Sequence, residues 1–314
     1  MTSFGASTGS DIAALAEAKD VRGRGGRRSK AAPYLFLLPA LLFFSVFWVF
    51  PFLFSIWVST TDWDILGNLS DLTYQGLENY GKVLNDSIFR TAVRNTFTYV
   101  LMDVPALTVL GLGLALLLKQ SMVGRGAFRT IAFLPHGTSA VALAIIWKII
   151  YMPADSGVLN GMLLQLGLPT LGWLTDPSWA LPSILIMTIW KWTGFTLVVF
   201  LVALFNIPSE YYEAARVDGA NVWHTFRHIT IPLLRPTFLF TTVTNTIGAF
   251  QIFTEVYLMT EGGPAKATEV VVHYMYTVAF EWLKMGKASA MAILLLALIL
   301  AFVLVEMRLL RARD

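Results

Sequence analysis

SEYYEAARVDGANVWHTFRHITIPLL, residues 209–234, carries the most specific pattern in the chain. In it Glu213, Ala214 and Ala215 are followed, after three residues, by Gly219 and, after nine more, by Ile229-Thr230-Ile231-Pro232. The stretch is polar and lies between two long apolar segments. Pro208 and Ser209 close the preceding segment, and Ser209 is predicted to cap a new helix whose first turn holds Glu210 and Glu213. Acids there suit the positive end of the helix dipole. Ala214 and Ala215 are small enough for close approach. Asp218-Gly219, followed by Ala220, signals a turn, with glycine supplying a backbone conformation that other residues avoid. Phe226 and Ile229 are predicted to offer an apolar face, and Pro232 and Pro236 flank the next apolar segment. The expected product is a helix, a sharp turn and a second helix, a shape suited to a groove on a partner.

Composition places the stretch in a membrane protein. Of 314 residues, 56% are apolar and 14% charged, and the mean hydropathy is +0.65. A soluble domain carries about 25% charged residues to cover its surface. The chain holds no cysteine, which excludes a disulfide framework, a thiolate metal site and a cysteine nucleophile.

Six apolar spans are predicted. They run from Tyr34 to Val58, Phe97 to Leu118, Thr130 to Met152, Leu181 to Phe205, Thr237 to Met259 and Ala288 to Val305. The first has no charge and is too long for a signal peptide. Asp103 is the one charge in the second span and Glu255 the one in the fifth. The third contains Pro135, His136 and Lys148, and the fourth Lys191.

Basic residues give the orientation. Lys19, Arg22, Arg24, Arg27, Arg28 and Lys30 precede the first span. Lys119, Arg125 and Arg129 lie between the second and third, Arg216, Arg227 and Arg235 between the fourth and fifth, and Arg308, Arg311 and Arg313 after the sixth. The alternate loops are poorer in Lys and Arg, and Asp62, Asp64, Asp71, Glu78 and Asp86 follow the first span. By the positive-inside rule both termini and the 209–234 stretch face the cytoplasm.

Residues 1–32 read as a disordered, basic cytoplasmic tail, and residues 33–314 as the six-span domain. The Arg22-to-Arg28 run is read as an anchor at anionic lipid headgroups rather than as an RNA-binding segment, and no nucleic-acid partner is expected. Pro153 to Pro182, with Gly157, Asn160, Trp173 and Trp179, reads as an interfacial segment anchored by aromatics. Glu261-Gly262-Gly263-Pro264 is a turn, and Val270 to Trp282 a short interfacial helix.

The spacing of Glu213-Ala214-Ala215, Gly219 and Pro232 resembles the EAA loop of binding-protein-dependent ABC importer permeases. Leu258 to Pro264, Thr268, Tyr274, Ala279-Phe280, Pro135, Trp147, Gly157, Asn160 and Trp190-Lys191-Trp192 resemble the carbohydrate branch, and the Gly-Gly-Pro loop its maltose-type first permease. The resemblance covers about residues 34 to 308, without the extra N-terminal spans and large insert of some maltose-type members. It implies an all-α membrane fold of type I importer architecture with six transmembrane helices and a cytoplasmic coupling helix, in the bacterial inner membrane. The partners it implies are a second permease with its own EAA loop, a dimer of ABC ATPases and an extracytoplasmic sugar-binding protein. In such a pump the acid at Glu213 meets a basic residue of the ATPase. No Gly-x4-Gly-Lys-Ser/Thr sequence occurs here, so ATP hydrolysis is expected on another subunit and the chain is read as non-catalytic, without cofactor or metal.

Polar residues inside the spans are candidate pathway residues. Trp190, Lys191 and Trp192 in the fourth span, with Asn245, Gln251 and Glu255 in the fifth, offer hydroxyl-matching groups beside flat apolar faces, as a sugar requires. Snorkelling to the outer interface is the alternative for Lys191, an interfacial belt for the two tryptophans, and a helix–helix hydrogen bond the expectation for Asp103. Asn245 and Gln251 lie about 240° apart on a straight helix, so both face one cavity only if the fifth span bends. The histidines His136, His224, His228 and His273 show no metal-ligand spacing. An ion-coupled secondary transporter needs repeated halves and more buried carboxylates than Asp103 and Glu255. A membrane-embedded enzyme needs a convergent catalytic set, and none is visible.

Overall fold

The computed structural model describes residues 32–64, 66, 72–120, 124–153 and 157–310. It divides into two compact units, Met1–Ser55 and Ile56–Asp314. The basic tail read over residues 1–32 lies outside the described residues except for Ala32, as do Arg311 and Arg313.

In the first unit, α1 (Ala32–Phe44) passes through a π-helical turn at Ser45–Val49 into α2 (Phe50–Val58), whose end belongs to the second unit. Phe36, Leu42, Phe47 and Trp48 are all exposed, and the mean hydropathy of Tyr34–Val58 is 2.3. A helix that is apolar on every side suits lipid.

The second unit begins with the short helix α3 (Glu78–Leu84) and the long helix α4 (Ser87–Lys119). α4 starts ten residues before the predicted Phe97 because Asp86 caps it, accepting the Ile88 N–H at 2.8 Å. α8 (Pro177–Phe205) starts the same way, with Asp176 accepting the Ser178 N–H at 2.8 Å and Pro177 in the first turn. Tyr34–Val58, α4, α8 and α15 (Met285–Leu310) are the continuous helices long and apolar enough to cross a membrane among the described residues.

The third and fifth predicted spans are interrupted helices in the structure. The third splits into α5 (Arg125–Phe133) and α6 (Ala140–Ile150), separated by turns around Pro135-His136-Gly137. Proline lacks the amide donor that a continuous helix needs. The fifth splits into α12 (Arg235–Phe250) and α13 (Thr254–Met259), with Gln251 at φ −99° and Phe253 at φ −142° between them. Broken helices at membrane depth are tolerated where the freed backbone lines a cavity or is buried in protein.

α4 lies along α8, α12 packs on both α4 and α15, and α13 packs on α6. Close crossings depend on two glycines. A Cβ on Gly111 would sit 2.6 Å from the Thr196 methyl carbon, and one on Gly194 would overlap the Ala132 carbonyl oxygen. The larger apolar core gathers Tyr99, Ile184, Met187, Phe250, Tyr274 and Met291. A second one joins Leu118, Leu197, Phe200, Leu204 and Leu234 beside the 209–234 stretch.

At the opposite end Asp86 is a hub. Its Oδ2 accepts from Tyr274 Oη at 2.6 Å and from Lys287 Nζ at 2.6 Å, joining α4 to α14 (Val271–Tyr276) and α15. The Gly-Gly-Pro loop is stitched down there too: Asn95 donates to the Lys266 and Glu269 carbonyls, and Thr268 Oγ1 donates to Gly263 O at 2.7 Å. Within 153–182, α7 (Val158–Gln165) carries the fully buried Asn160, whose Oδ1 accepts from Leu171 N and Trp173 Nε1. The predicted interfacial helix over Val270–Trp282 is α14 followed by a π-helical turn at Thr277–Glu281.

Candidate functional site

Residues 209–234 fold as a helix, a turn and a second helical arm. α9 is Ser209–Val217. Its cap is Pro208, and no side chain caps it, so Ser209 is the first helical residue rather than the predicted cap. Glu210 lies in the first turn, and Glu213 falls a turn later. The helix ends in a Schellman motif: Ala220 N–H bonds the Ala215 carbonyl at 2.9 Å and Gly219 N–H the Arg216 carbonyl at 3.1 Å. Gly219 sits at φ +75°, the left-handed conformation that side chains resist. Asn221 then caps α10 (Val222–Thr225), accepting the His224 N–H at 2.7 Å. A π-helical turn at Phe226–Thr230 and α11 (Ile231–Leu233) complete the arm.

Ala215 is buried, Glu213, Ala214, Asp218 and Gly219 are exposed, and Ala220 is half-buried. The predicted apolar face shifts. Phe226 packs against the second core and Ile229 is half-buried, whereas Tyr211, Val217, Val222 and Trp223 stand exposed. Tyr212 ties the two arms through its hydroxyl contact with Thr230 Oγ1 at 3.3 Å, and Lys119, at the end of α4, lies 4.0 Å over the Tyr212 ring. Leu234, fully buried, fixes the far end in the second core. The element is thus anchored at its root and bare at its tip.

A second feature is a cavity of about 470 Å³ bounded by α4, α8, α12 and the break before α13. Lys191, Trp192, Asn245, Gln251 and Glu255 all line it, joined by Tyr99, Asp103 and Thr188. The bend anticipated for the fifth span is the break itself: α12 stops at Phe250, so Gln251 turns toward the same space as Asn245. Lys191 does not snorkel. It is 6% exposed, and its Nζ meets Glu255 Oε1 at 3.2 Å. Tyr99 donates to Thr188 Oγ1 at 2.7 Å, and Asn245 Nδ2 to Thr196 Oγ1 at 3.4 Å. Trp190 is the exception: it lies outside the cavity, 45% exposed, with its ring 5.5 Å from that of Trp147. One helical step of about 100° separates it from Lys191 and turns it off the cavity face of α8. Asp103, expected in sequence to make a helix–helix hydrogen bond, lies on α4 at the cavity wall with Thr188 of α8 as its hydrogen-bonding neighbour, while its Oδ1 is buried without a partner.

Comparison with known proteins places these features. Residues 107–313 match the family described as binding-protein-dependent transport system inner membrane component. The chain belongs to that family. Its matched segment contains the 209–234 element and most of the cavity wall. Among relatives, the lactose transport system permease protein LacF of Rhizobium radiobacter is 38% identical over 273 residues, covering 85% of this chain and 90% of that one. The arabinooligosaccharides transport system permease protein AraP of Bacillus subtilis is 33% identical over 282 residues, covering 89% and 88%. Among solved structures, a bacterial alginate ABC transporter in complex with an alginate pentasaccharide-bound periplasmic protein contains a chain that superposes with a TM-score of 0.78 at 27% identity, over 88% of this chain and 93% of that one. This permease is therefore a multi-pass membrane protein of type I importer fold.

Proposed function

We propose that this permease is one half of the translocation pathway of an ATP-driven carbohydrate importer of the di- or oligosaccharide class. A second permease with its own EAA loop forms the other half. Two ATPase subunits press on the cytoplasmic loops, and an extracytoplasmic binding protein delivers the sugar. Relatives named for lactose and arabinooligosaccharide transport support the substrate class. The basic residues flanking 209–234 support a cytoplasmic position for the loop and for both termini.

One observation carries the reading. The loop 209–234 directly joins α8 to α12, and these two helices supply Lys191, Trp192 and Asn245 to the cavity. Force applied at the bare tip reaches the cavity wall along two rigid elements. Glu213, exposed near the tip, supplies the charged contact to a basic residue of the ATPase, with Ala214, Ala215, Asp218, Gly219 and Ala220 shaping the surface. The exposed Val217, Val222 and Trp223 supply the apolar contact that anchors such interfaces. Lys191, Trp192, Asn245, Gln251 and Glu255 border the sugar route, while Trp190 faces away from it.

The test is reconstitution of this chain with its partner permease, ATPase and binding protein in proteoliposomes. Sugar-dependent ATP hydrolysis and uptake are expected, and Glu213→Ala should uncouple the two while the protein remains in the membrane. Full coupling in Glu213→Ala would remove the loop from the mechanism.

A further inference from the structure

Arg125 and Arg129 stand one turn apart at the start of α5, on the same side of it. Both guanidiniums lie against the ring of Phe205, the last residue of α8, at 5.8 and 5.4 Å from its centroid. One aromatic ring thus holds two cations where α5 begins and α8 ends. Arg125 is half committed: its Nη2 donates to the Lys119 carbonyl at 3.2 Å and to the Gln120 carbonyl, closing the end of α4. Arg129 donates to nothing among the described residues. The Nε atoms of both are buried without a partner, whereas Nη1 of Arg125 and both Nη atoms of Arg129 are accessible and equally unpartnered.

The charge here is uncompensated. Among the described residues no carboxylate pairs with either arginine, and no acid stands in the chain between Asp103 and Asp155. Like charges one turn apart repel, and an anion bound to both reverses the sign. The guanidinium fork matches the oxygens of a phosphate group, to which it can donate two parallel hydrogen bonds.

The surroundings select the kind of phosphate. Phe128 and Ile131 of α5 and Val202 and Phe205 of α8 present exposed apolar side chains on the same two helices. A soluble anion gains nothing from them, whereas a phospholipid lays its acyl chains there with its phosphate at the guanidiniums. The two arginines also lie where the third predicted span begins and the fourth ends, at the depth of the headgroups. Basic pockets between membrane helices at the cytoplasmic surface hold anionic lipid headgroups in this way.

We propose that Arg125, Arg129 and Phe205 form a binding site for the phosphate of an anionic phospholipid at the cytoplasmic ends of α5 and α8. The site does not depend on where the sugar passes, and so survives a failure of that reading. Phe205 ends α8 and Ser209 begins α9, so a lipid held there steadies the root of the 209–234 element without touching its tip.

The test uses the assembled transporter, delipidated in detergent, titrated with dioctanoyl phosphatidylglycerol, dioctanoyl phosphatidylcholine and inorganic phosphate, with bound lipid counted by native mass spectrometry. Phosphatidylglycerol should half-saturate at a concentration at least ~tenfold below that of phosphatidylcholine, as two basic contacts imply. Arg129→Gln, which breaks no hydrogen bond of the protein, should weaken phosphatidylglycerol about fivefold and leave phosphatidylcholine as in wild type. Phe205→Leu keeps both charges but removes the ring that holds them, and should weaken phosphatidylglycerol about threefold; it decides the matter where Arg129→Gln does not fold. Arg308→Gln makes the same change of charge at the end of α15 and should bind both lipids as wild type does. Equal binding of the two lipids by the wild type overturns the proposal and leaves the guanidiniums to a partner subunit. An unchanged preference in folded Arg129→Gln overturns it, and so does an equal loss in Arg308→Gln, which would mean diffuse attraction to the basic side. Displacement of phosphatidylglycerol by an equal concentration of inorganic phosphate assigns the site to a free anion and overturns the lipid.

Discussion

Lys191 of α8 and Glu255 of α13 meet at 3.2 Å with 6% and 7% of their surfaces exposed. This pair bridges the two sides of the cavity and holds the short helix α13 against α8 across a break in the chain. Removing one partner of a buried pair leaves an uncompensated charge, at a cost of about 3–5 kcal/mol, whereas removing both is often near neutral. Glu255→Leu should therefore lower the thermal stability of the solubilised permease markedly, and Lys191→Met with Glu255→Leu should restore most of it. Fluorescence-detected size-exclusion after heating measures this. A double variant as unstable as the single one would mean that the pair contributes only packing.

Asp86 predicts a pH response at the other end of the molecule. Burial raises the pKa of its carboxyl, but hydrogen bonds from Lys287 and Tyr274 and the α4 cap outweigh this and leave it below the ordinary value. A group with a depressed folded pKa stabilises the fold above its unfolded pKa and loses that contribution as pH falls through the folded one. Stability should thus decline as pH drops below about 4, the range of an unfolded aspartate. Asp86→Asn keeps a capping oxygen but loses the charge, so it should be less stable at neutral pH by about 1–3 kcal/mol and show a flatter profile in acid. A profile as steep as wild type in Asp86→Asn would assign the acid response elsewhere.

Gly219 and Gly194 separate backbone strain from overlap. A Cβ on Gly219 meets nothing within 4 Å, but φ is +75°. Gly219→Ala should therefore insert and fold normally while straining the Schellman turn by about 1 kcal/mol, with a partial loss of coupling between ATP hydrolysis and uptake. A Cβ on Gly194 overlaps the Ala132 carbonyl, so Gly194→Val should separate α8 from α5 and reduce the folded yield itself. Membrane yield and uptake per molecule, measured for both, distinguish the two effects. Equal yields would show that the α5–α8 crossing tolerates expansion.

The parts of this permease that were legible in sequence are those with a local cause. Long apolar runs mark α4, α8 and α15, and Asp218-Gly219 marks the turn because only glycine is at ease at its φ. The break at Pro135-His136-Gly137 carried its signal in the proline, though hydropathy alone ran through it. The break at Gln251-Ile252-Phe253 carried none: no proline or glycine stands there, Ile252 is buried, and the apolar pattern continues into Val256 and Met259. Ser209 has the chemistry of a cap, but Pro208 already supplies the extended backbone before α9. Asn221, followed by Val222-Trp223-His224, is a cap whose signal is local and legible in the sequence. The exposed tip of Val217, Val222 and Trp223 followed from nothing local, because which apolar side chains of the second arm turn inward depends on where Leu234 and Phe226 find the core. Asp103 was visible as a charge in a span, but its free oxygen exists only once α8 and α12 enclose it.

Gln251 tests whether the break in the fifth span serves the cavity. It closes α12, where its backbone leaves the helix, and its side chain is the exposed polar group nearest the break. On an unbroken helix it would face away from Asn245; the break brings both to one space. Gln251→Leu should therefore lower sugar-stimulated ATP hydrolysis and uptake without reducing folded yield, because an apolar tip leaves a substrate hydroxyl unpaired, at about 1–3 kcal/mol or ~5- to 150-fold. Trp190→Ala is the matched control. It removes a larger side chain from α8, but from the face packed on Trp147 rather than the cavity, so it should change stability more than uptake. The opposite ranking, with Trp190→Ala abolishing uptake in well-folded protein and Gln251→Leu behaving as wild type, would move the sugar route to the other side of α8.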